Sequence, residues 1–197
     1  MSEPDTLWFY FDYIDPLSLI LDLRLREYRE KGSVAVAYCP FEVNPPPGAL
    51  LRPSDPQWTA RWDDAAVGAT ELEVSLERPW IVPWTRKAHE LAFLAREEDS
   101  FGEIHEALFR AYLIEAKDVG RVDILTELAR QNGLSPQDVK AVLDVDRHRS
   151  DVEKARAQGL RDGIEKVPSL RWKGRILEGN PTAAELREFI SAVADED

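Results

Sequence analysis

The sequence of 197 residues contains a single cysteine, Cys39. One cysteine can form neither an intramolecular disulfide nor a Cys-x-x-Cys redox pair, so dithiol–disulfide exchange within the chain is excluded. Long apolar runs are also missing, since none reaches the roughly 20 residues that a transmembrane helix needs. We therefore expect a protein that neither spans a membrane nor is held together by disulfides.

Basic residues are few, with 25 Lys and Arg against 37 Asp and Glu and a net charge of −12. Such a chain is repelled by phosphate backbones, so we expect no nucleic-acid partner. The three histidines, His89, His105 and His148, are not spaced with other ligands as in metal sites, so we expect no metal. The acidic residues 1–5 lack the basic start of a secretory signal, which predicts a cytoplasmic protein.

The first 40 residues alternate strand and helix patterns. Leu7 to Ile14 is rich in aromatic residues and predicts a buried strand. Asp15 is a natural N-cap, and Pro16 suits the first helical position of a helix that ends at Lys31-Gly32. Val34 to Cys39 predicts a second strand, which a βαβ unit would place parallel to the first.

The remaining chain is mostly helical and ends in a hairpin and a helix. Residues 40–56 are rich in proline and predict a loop, whereas residues 58–159 show helical periodicity. Ser169 to Trp172 and Arg175 to Glu178 predict a hairpin, and Thr182 to Glu185 form a capping box that starts the last helix. This order predicts an α/β thioredoxin-like domain, residues 1–57 and 160–197, with an all-helical insertion, residues 58–159.

Four segments in the right order carry a resemblance to a known family. They are Phe11-Asp12-Tyr13-Ile14-Asp15-Pro16-Leu17-Ser18, Pro40-Phe41-Glu42-Val43-Asn44-Pro45, Ala107-Leu108-Phe109-Arg110-Ala111-Tyr112 and Gly163-Ile164-Glu165-Lys166-Val167-Pro168. The chain resembles the DsbA-like thioredoxin proteins, in the branch of FrnE-like oxidoreductases, 2-hydroxychromene-2-carboxylate isomerases and kappa-class glutathione transferases. The resemblance implies the thioredoxin fold and an active-site turn at Asp15-Pro16-Leu17-Ser18.

The resemblance places Asp15 where relatives have a nucleophilic cysteine or a serine that binds the thiolate of glutathione, and Ser18 at the second cysteine position. A carboxylate cannot replace a thiolate in disulfide exchange. It would also repel a glutathione thiolate at about 4 Å by roughly 1 to 4 kcal/mol. We expect the helix N-terminus to lower the pKa of Asp15. The alternative is that Asp15 is only an N-cap.

Other residues are candidates for catalysis or ligand binding. Asp12 could form a general acid/base pair with Asp15, or it could be a buried carboxylate satisfied by backbone donors. His89 resembles a histidine on a family helix near the pocket, and the alternative is a histidine on the helix surface. Cys39 is expected to be an inert buried side chain.

The tryptophans Trp58, Trp62, Trp80 and Trp84 cluster in sequence and could roof an apolar ligand pocket, or they could pack the insertion onto the thioredoxin unit. Arg86, Lys87 and Arg110 could supply cations for an acidic ligand.

The loops that resemble the family's ligand-binding loops supply the remaining candidates. Asn44 lies in the Pro-Phe-Glu-Val-Asn-Pro loop, and Val167 precedes Pro168, the position of the family's cis-proline. The resemblance implies that Val167 offers its backbone to a peptide-like ligand. Asn180 and Thr182 lie where relatives hold the γ-glutamyl end of glutathione, and Thr182 has its capping role in either case.

Two functional hypotheses follow. The first is a small-molecule enzyme, isomerase-like or glutathione-linked, with glutathione as the implied cofactor. The second is a non-catalytic binding or interaction protein that has kept the fold and lost the nucleophile. The resemblance also implies a homodimer.

Overall fold

The sheet is built around strand β1 (Thr6–Phe11), which lies between β2 (Ala35–Pro40) and β3 (Ser169–Trp172). The computed structural model describes residues 6–194. β1 and β2 are parallel, whereas β3 runs antiparallel to β1, and β4 (Arg175–Glu178) pairs antiparallel with β3 at the sheet edge. The parallel first pair and the later hairpin confirm the sequence predictions, and the arrangement is a thioredoxin-like α/β fold.

Local sequence signals explain the ends of several elements. The predicted first strand was too long, because the backbone turns after Phe11 and the N–H of Asp15 donates to the carbonyl of Asp12 at 3.1 Å. Helix α1 (Pro16–Glu30) then begins with Asp15 as its N-cap, as predicted. The hairpin turn uses Lys173 and Gly174 at φ 43° and 79°, as in the tight turns that suit twisted hairpins.

Six helices lie between the two halves of the sheet: α2 (Pro56–Glu71), α3 (Arg86–Glu97), α4 (Phe101–Leu113), α5 (Val122–Gln131), α6 (Pro136–Asp144) and α7 (Arg149–Arg161). They confirm the helical character of residues 58–159, although α7 continues two residues beyond that range. Helix α8 (Ala183–Ala194) follows the hairpin. The division into a thioredoxin domain and an insertion domain stays a prediction.

The two faces of β1 contribute to different hydrophobic clusters, because successive side chains of a strand alternate between the faces. Leu7, Phe9 and Phe11 belong to the main core. Tyr10 points to the other face and packs in a cluster with Phe41. The candidate active-site turn, Asp15 to Ser18, follows shortly after this double-sided strand, so the strand anchors it from both faces.

Helix α2 packs closely on α1 at Gly68. A Cβ atom on Gly68 would lie 2.6 Å from Cγ2 of Ile20, so a larger residue does not fit there without movement. The close approach places the N-terminal half of α2 beside the N-terminus of α1. Among residues 6–194, no helix has the length and apolar character needed to cross a membrane.

Candidate functional site

The candidate active-site turn is built around the carboxylate of Asp15. Its Oδ2 accepts a hydrogen bond from the backbone N–H of Ser18 at 2.9 Å and another from the Ser18 hydroxyl at 2.6 Å. Asp15 and Ser18 both have 0% of their surface exposed. The carboxylate is therefore the N-cap that the sequence predicts, and it is also completely buried.

Arg61 of α2 contacts the other oxygen of the same carboxylate. Its Nε and Nη2 donate to Oδ1 of Asp15 at 2.9 Å and 2.6 Å. Nη2 also donates to the backbone carbonyl of Val167. Arg61 thus connects the active-site turn to the loop before β3, and charge-assisted contacts of this kind are stronger than neutral ones.

Burial dominates the electrostatics of this turn. It raises the pKa of Asp15, although the Arg61 charge and the Ser18 hydroxyl act in the opposite direction. The prediction that the helix N-terminus lowers this pKa was therefore wrong, because loss of solvent outweighs the favourable charges. The neighbouring guanidinium also compensates the carboxylate charge, so the repulsion of a ligand anion expected from Asp15 alone is reduced.

The peptide bond between Val167 and Pro168 is cis. The Val167 carbonyl is bound by Arg61, and the Pro168 carbonyl accepts from the N–H of Gly179 at 2.8 Å. Both candidate residues are buried. In this structure, the carbonyl predicted to receive a peptide-like ligand is already used within the chain.

Asp12 and His89 form a second buried pair. Oδ1 of Asp12 lies 3.1 Å from Nε2 of His89, and Oδ2 accepts from the backbone N–H of Val43 at 2.7 Å. Both side chains are fully buried, so His89 is neither a surface residue nor an open pocket residue. Nδ1 of His89 is buried and has no hydrogen-bond partner within the described part of the chain.

The proline-rich loop contains Asn44 and contacts Trp84. Asn44 donates to the carbonyl of Ala49 at 2.8 Å, and Nε1 of Trp84 donates to the carbonyl of Gly48 at 3.1 Å. Trp84 is 39% exposed and, with the cis-linked Pro46-Pro47, lines a cavity of about 370 Å³. Asn44 and Trp84 are thus brought together by one loop.

The cations near that cavity are bound to carboxylates. Arg86 donates from Nε and Nη2 to Glu42, at 2.9 Å and 2.8 Å, and from Nη1 to Glu153 at 2.8 Å. Lys87 pairs with Glu90 and Asp146. Their positive charges are largely compensated, which weakens the expectation that they bind an acidic ligand.

The remaining candidates lie elsewhere. Asn180 accepts from Arg24 at 2.9 Å and donates to the carbonyl of Asp64 at 3.2 Å. Thr182 and Glu185 form the predicted capping box, with 2.8 Å between the hydroxyl and Oε2. Arg110 is exposed on α4 and lines cavities different from the one beside Trp84.

The four clustered tryptophans do not share one role: some pack in the core, and one lines a cavity. Trp58 and Trp62 are each 4% exposed and belong to the core, which favours the packing role. Trp80 is 75% exposed, and only Trp84 of the four lines the cavity of the proline-rich loop. Within residues 6–194, no group of three or more His, Cys, Asp or Glu side chains could hold a metal ion.

Sequence reasoning missed Arg61, although a signal was present. Trp58, Trp62, Ala65 and Ala69 form the buried stripe of α2, and Arg61 occupies the position three residues after Trp58. A charged residue on such a stripe indicates a buried partner of opposite charge. That partner is Asp15, 46 positions away in sequence.

Comparisons with known proteins identify the family and the fold of this chain. A family model described as the DSBA-like thioredoxin domain matches residues 6–191. The uncharacterised protein YwbO of Bacillus subtilis is 29% identical over 196 residues, which cover 95% of this chain and 94% of YwbO.

Two solved structures share the fold at low sequence identity. A probable DsbA oxidoreductase from Streptomyces coelicolor is 18% identical, with a TM-score of 0.83 and coverage of 98% of this chain and 91% of that one. A 2-hydroxychromene-2-carboxylate isomerase is 14% identical, with a TM-score of 0.81 and 97% coverage of each chain.

Proposed function

Because this chain belongs to the DsbA-like thioredoxin family, we propose that it is an enzyme that acts on a small anionic molecule through Arg61 in place of a thiol. The activity is isomerase-like or glutathione-linked, with glutathione as the first ligand to test. One observation carries the proposal: Asp15 and the Val167 carbonyl fix a guanidinium at the active-site turn. A cytoplasmic location and a homodimer belong to the same proposal.

Arg61 keeps one of its guanidinium nitrogens available for a ligand. Its Nε and Nη2 are used within the chain, whereas Nη1 has no hydrogen-bond partner among residues 6–194. The side chain is 24% exposed. An oriented guanidinium with free N–H groups suits a thiolate or carboxylate, because it supplies both charge and directed donors.

Each residue has a separate role in this proposal. Arg61 binds the anionic atom of the ligand and stabilises negative charge there. Asp15 orients Arg61, and Ser18 positions Asp15 through its two hydrogen bonds. No disulfide exchange is included, because the position before Pro16 holds a carboxylate and Cys39 is the only cysteine.

A specific observation favours the alternative, a non-catalytic binding or interaction protein. Asp15 and Ser18 have no exposed surface, and Arg61 already occupies the Val167 carbonyl. A ligand that needs this carbonyl must displace Arg61. The two functions therefore differ in whether a small anion binds at Arg61 at all.

The experiment is a calorimetric titration of glutathione and S-methylglutathione into three proteins: the natural chain, Arg61→Gln and Arg78→Gln. Arg78 is a matched control, since it pairs with Asp63 of the same helix α2 on the exposed surface. We expect the natural chain and Arg78→Gln to bind glutathione equally. Arg61→Gln should bind about tenfold more weakly or worse, because a charge-assisted contact is lost.

The comparison of ligands tests the role of the sulfur. If the natural chain binds glutathione more tightly than S-methylglutathione, and Arg61→Gln does not, the result would support stabilisation of the thiolate by Arg61. Equal affinity of the natural chain and Arg61→Gln for glutathione would refute the role of Arg61. Absence of binding to the natural chain would favour the non-catalytic alternative over a glutathione-linked enzyme.

A further inference from the structure

A second cavity, of about 330 Å³, lies between the sheet and helices α3 and α7. β1 contributes Trp8 and Tyr10, β2 contributes Tyr38 and Cys39, and α3 contributes Phe93 and Arg96. Its lining includes none of the residues of the active-site turn and neither Arg61 nor Val167. Its size falls in the range of small-molecule sites, which begins at about 300 Å³.

Aromatic rings form much of the cavity wall. Trp8 is 39% exposed, an unusual value for a tryptophan on a central strand. Tyr10 is almost completely buried, and its hydroxyl is occupied by a hydrogen bond to Asp162 at 2.8 Å, so its ring rather than its polar end is available to the cavity. Walls of this kind favour a flat apolar ligand.

Arg96 supplies a positive charge to this apolar surface. Its Nη2 donates to the Tyr38 carbonyl at 2.7 Å, and its guanidinium carbon lies 5.2 Å and 4.5 Å from the ring centres of Phe93 and Phe101. No carboxylate of residues 6–194 lies within ion-pairing distance of it, whereas Arg86 of the same helix has two such partners.

The lack of a carboxylate partner among residues 6–194 distinguishes Arg96 from Arg86 and Lys87, which lie beside the cavity of the proline-rich loop. Burial lowers the pKa of Arg96, and the Tyr13 hydroxyl and the Cys39 thiol, rather than a carboxylate, act in the opposite direction. A half-buried cation is costly unless an anion is close to it. The one acidic group on the cavity wall, Asp151, lies 3.2 Å from His148 Nδ1 and 3.6 Å from Lys154, so its charge is partly compensated.

We propose that this cavity binds a planar aromatic molecule with one carboxylate. The ring contacts the aromatic wall of Trp8, Tyr10 and Phe93, and the carboxylate pairs with Arg96. Aromatic contact provides the burial, and the ion pair provides the preference for an anion. The inference is independent of Arg61 and of the proposed function.

The test uses 2-naphthoate as the probe and 2-naphthamide as its neutral counterpart, with binding followed by tryptophan fluorescence. We expect saturable binding of naphthoate and about tenfold weaker binding of the amide, because the amide lacks the charge. Arg96→Gln should reduce the affinity for naphthoate to that for the amide, whereas Arg78→Gln, which removes only an exposed ion pair with Asp63, should leave it unchanged. Trp8→Phe should remove most of the fluorescence change.

Arg96 also packs against two rings, so a second variant leaves it in place. Ala155→Phe fills the cavity from the α7 side and should abolish binding of both probes without loss of the cooperative thermal transition. The inference is overturned if naphthoate does not bind the natural chain saturably. It is also overturned if naphthoate binds equally well to folded Arg96→Gln or to Ala155→Phe.

Discussion

The guanidinium of Arg61 and the carboxylate of Asp15 form an ion pair with two hydrogen bonds, at 2.9 Å and 2.6 Å, at the N-terminus of α1. The pair is asymmetric, because Asp15 is fully buried whereas the Arg61 side chain is 24% exposed. Removal of the arginine therefore leaves a buried carboxyl group without its main partner. Removal of the aspartate leaves a cation that can still reach solvent.

This asymmetry predicts the stability of single variants. Arg61→Gln should lower the free energy of unfolding by about 3 kcal/mol, the lower end of values for breaking buried pairs, because Asp15 is left buried without its main partner. Arg78→Gln, which removes an exposed pair, should lower it by less than about 1 kcal/mol. Urea denaturation followed by circular dichroism measures both. A similarly small decrease in the free energy of unfolding of both variants would mean that the buried pair stabilises the fold no more than an exposed pair does.

Much of the fold was predictable because its signals are local. The N-cap at Asp15, the capping box of Thr182 and Glu185, and the hairpin around Lys173-Gly174 each depend on residues within a few positions of one another. Strand β1 was the exception. Its aromatic pattern continues to Tyr13, but the backbone leaves the sheet after Phe11 to form the active-site turn.

The site itself was only partly predictable, because its main contacts join distant positions. Asp15 and Asp12 were recognised from the turn, but their partners Arg61 and Val43 come from other segments. The pKa of Asp15 shows the same limit. Its helix-end position is visible in the sequence, whereas its complete burial depends on α2 and on the loop before Pro168.

The pH dependence of stability can decide the direction of that pKa shift. Because burial raises the pKa of Asp15 above 3.8 in the folded state, the folded chain binds the proton more readily than the unfolded chain. Stability from this group therefore increases as the pH falls through the folded pKa, and it levels off below the unfolded value.

The measurement compares the natural chain with Asp15→Asn, because the asparagine variant lacks this titration and shares the others. The free energy of unfolding of the natural chain, minus that of Asp15→Asn, should rise as the pH is lowered from neutral towards 3.8. A difference that falls over this range would show a lowered pKa and a dominant effect of Arg61 and the helix end.

The contact between α1 and α2 should be sensitive to one methyl group. Gly68→Ala places a Cβ 2.6 Å from Cγ2 of Ile20 and should destabilise the fold by about 1 to 3 kcal/mol, because overpacking forces the helices apart. Gly102→Ala in α4 is the control. A Cβ there meets nothing within 4 Å, so Gly102→Ala should stabilise the fold by up to about 1 kcal/mol, because alanine has the higher helix propensity.

Because α2 carries Arg61, a shift at Gly68 should also be felt at the active-site turn. Gly68→Ala should therefore weaken glutathione binding in the same titration that tests Arg61, whereas Gly102→Ala should not. Gly68→Ala with unchanged stability would show that Ile20 moves aside without cost, and that the helix contact does not fix the position of Arg61.

The thiol of Cys39 should be unreactive in the folded chain. Burial raises its pKa to about 12, although Arg96 nearby acts in the opposite direction, and the thiol donates to the Ala37 carbonyl at 3.7 Å. Only the thiolate is alkylated, so iodoacetamide should react about a thousandfold more slowly than with an ordinary cysteine thiol near neutral pH.

Intact-mass spectrometry gives the rate, and the urea-unfolded chain supplies the ordinary rate as a control. Because each unit of pH below the pKa changes the thiolate fraction about tenfold, the rate should rise steadily with pH while circular dichroism shows the fold intact. A rate that levels off near neutral pH would instead reveal an activated thiol, and it would reopen a role for Cys39 in chemistry.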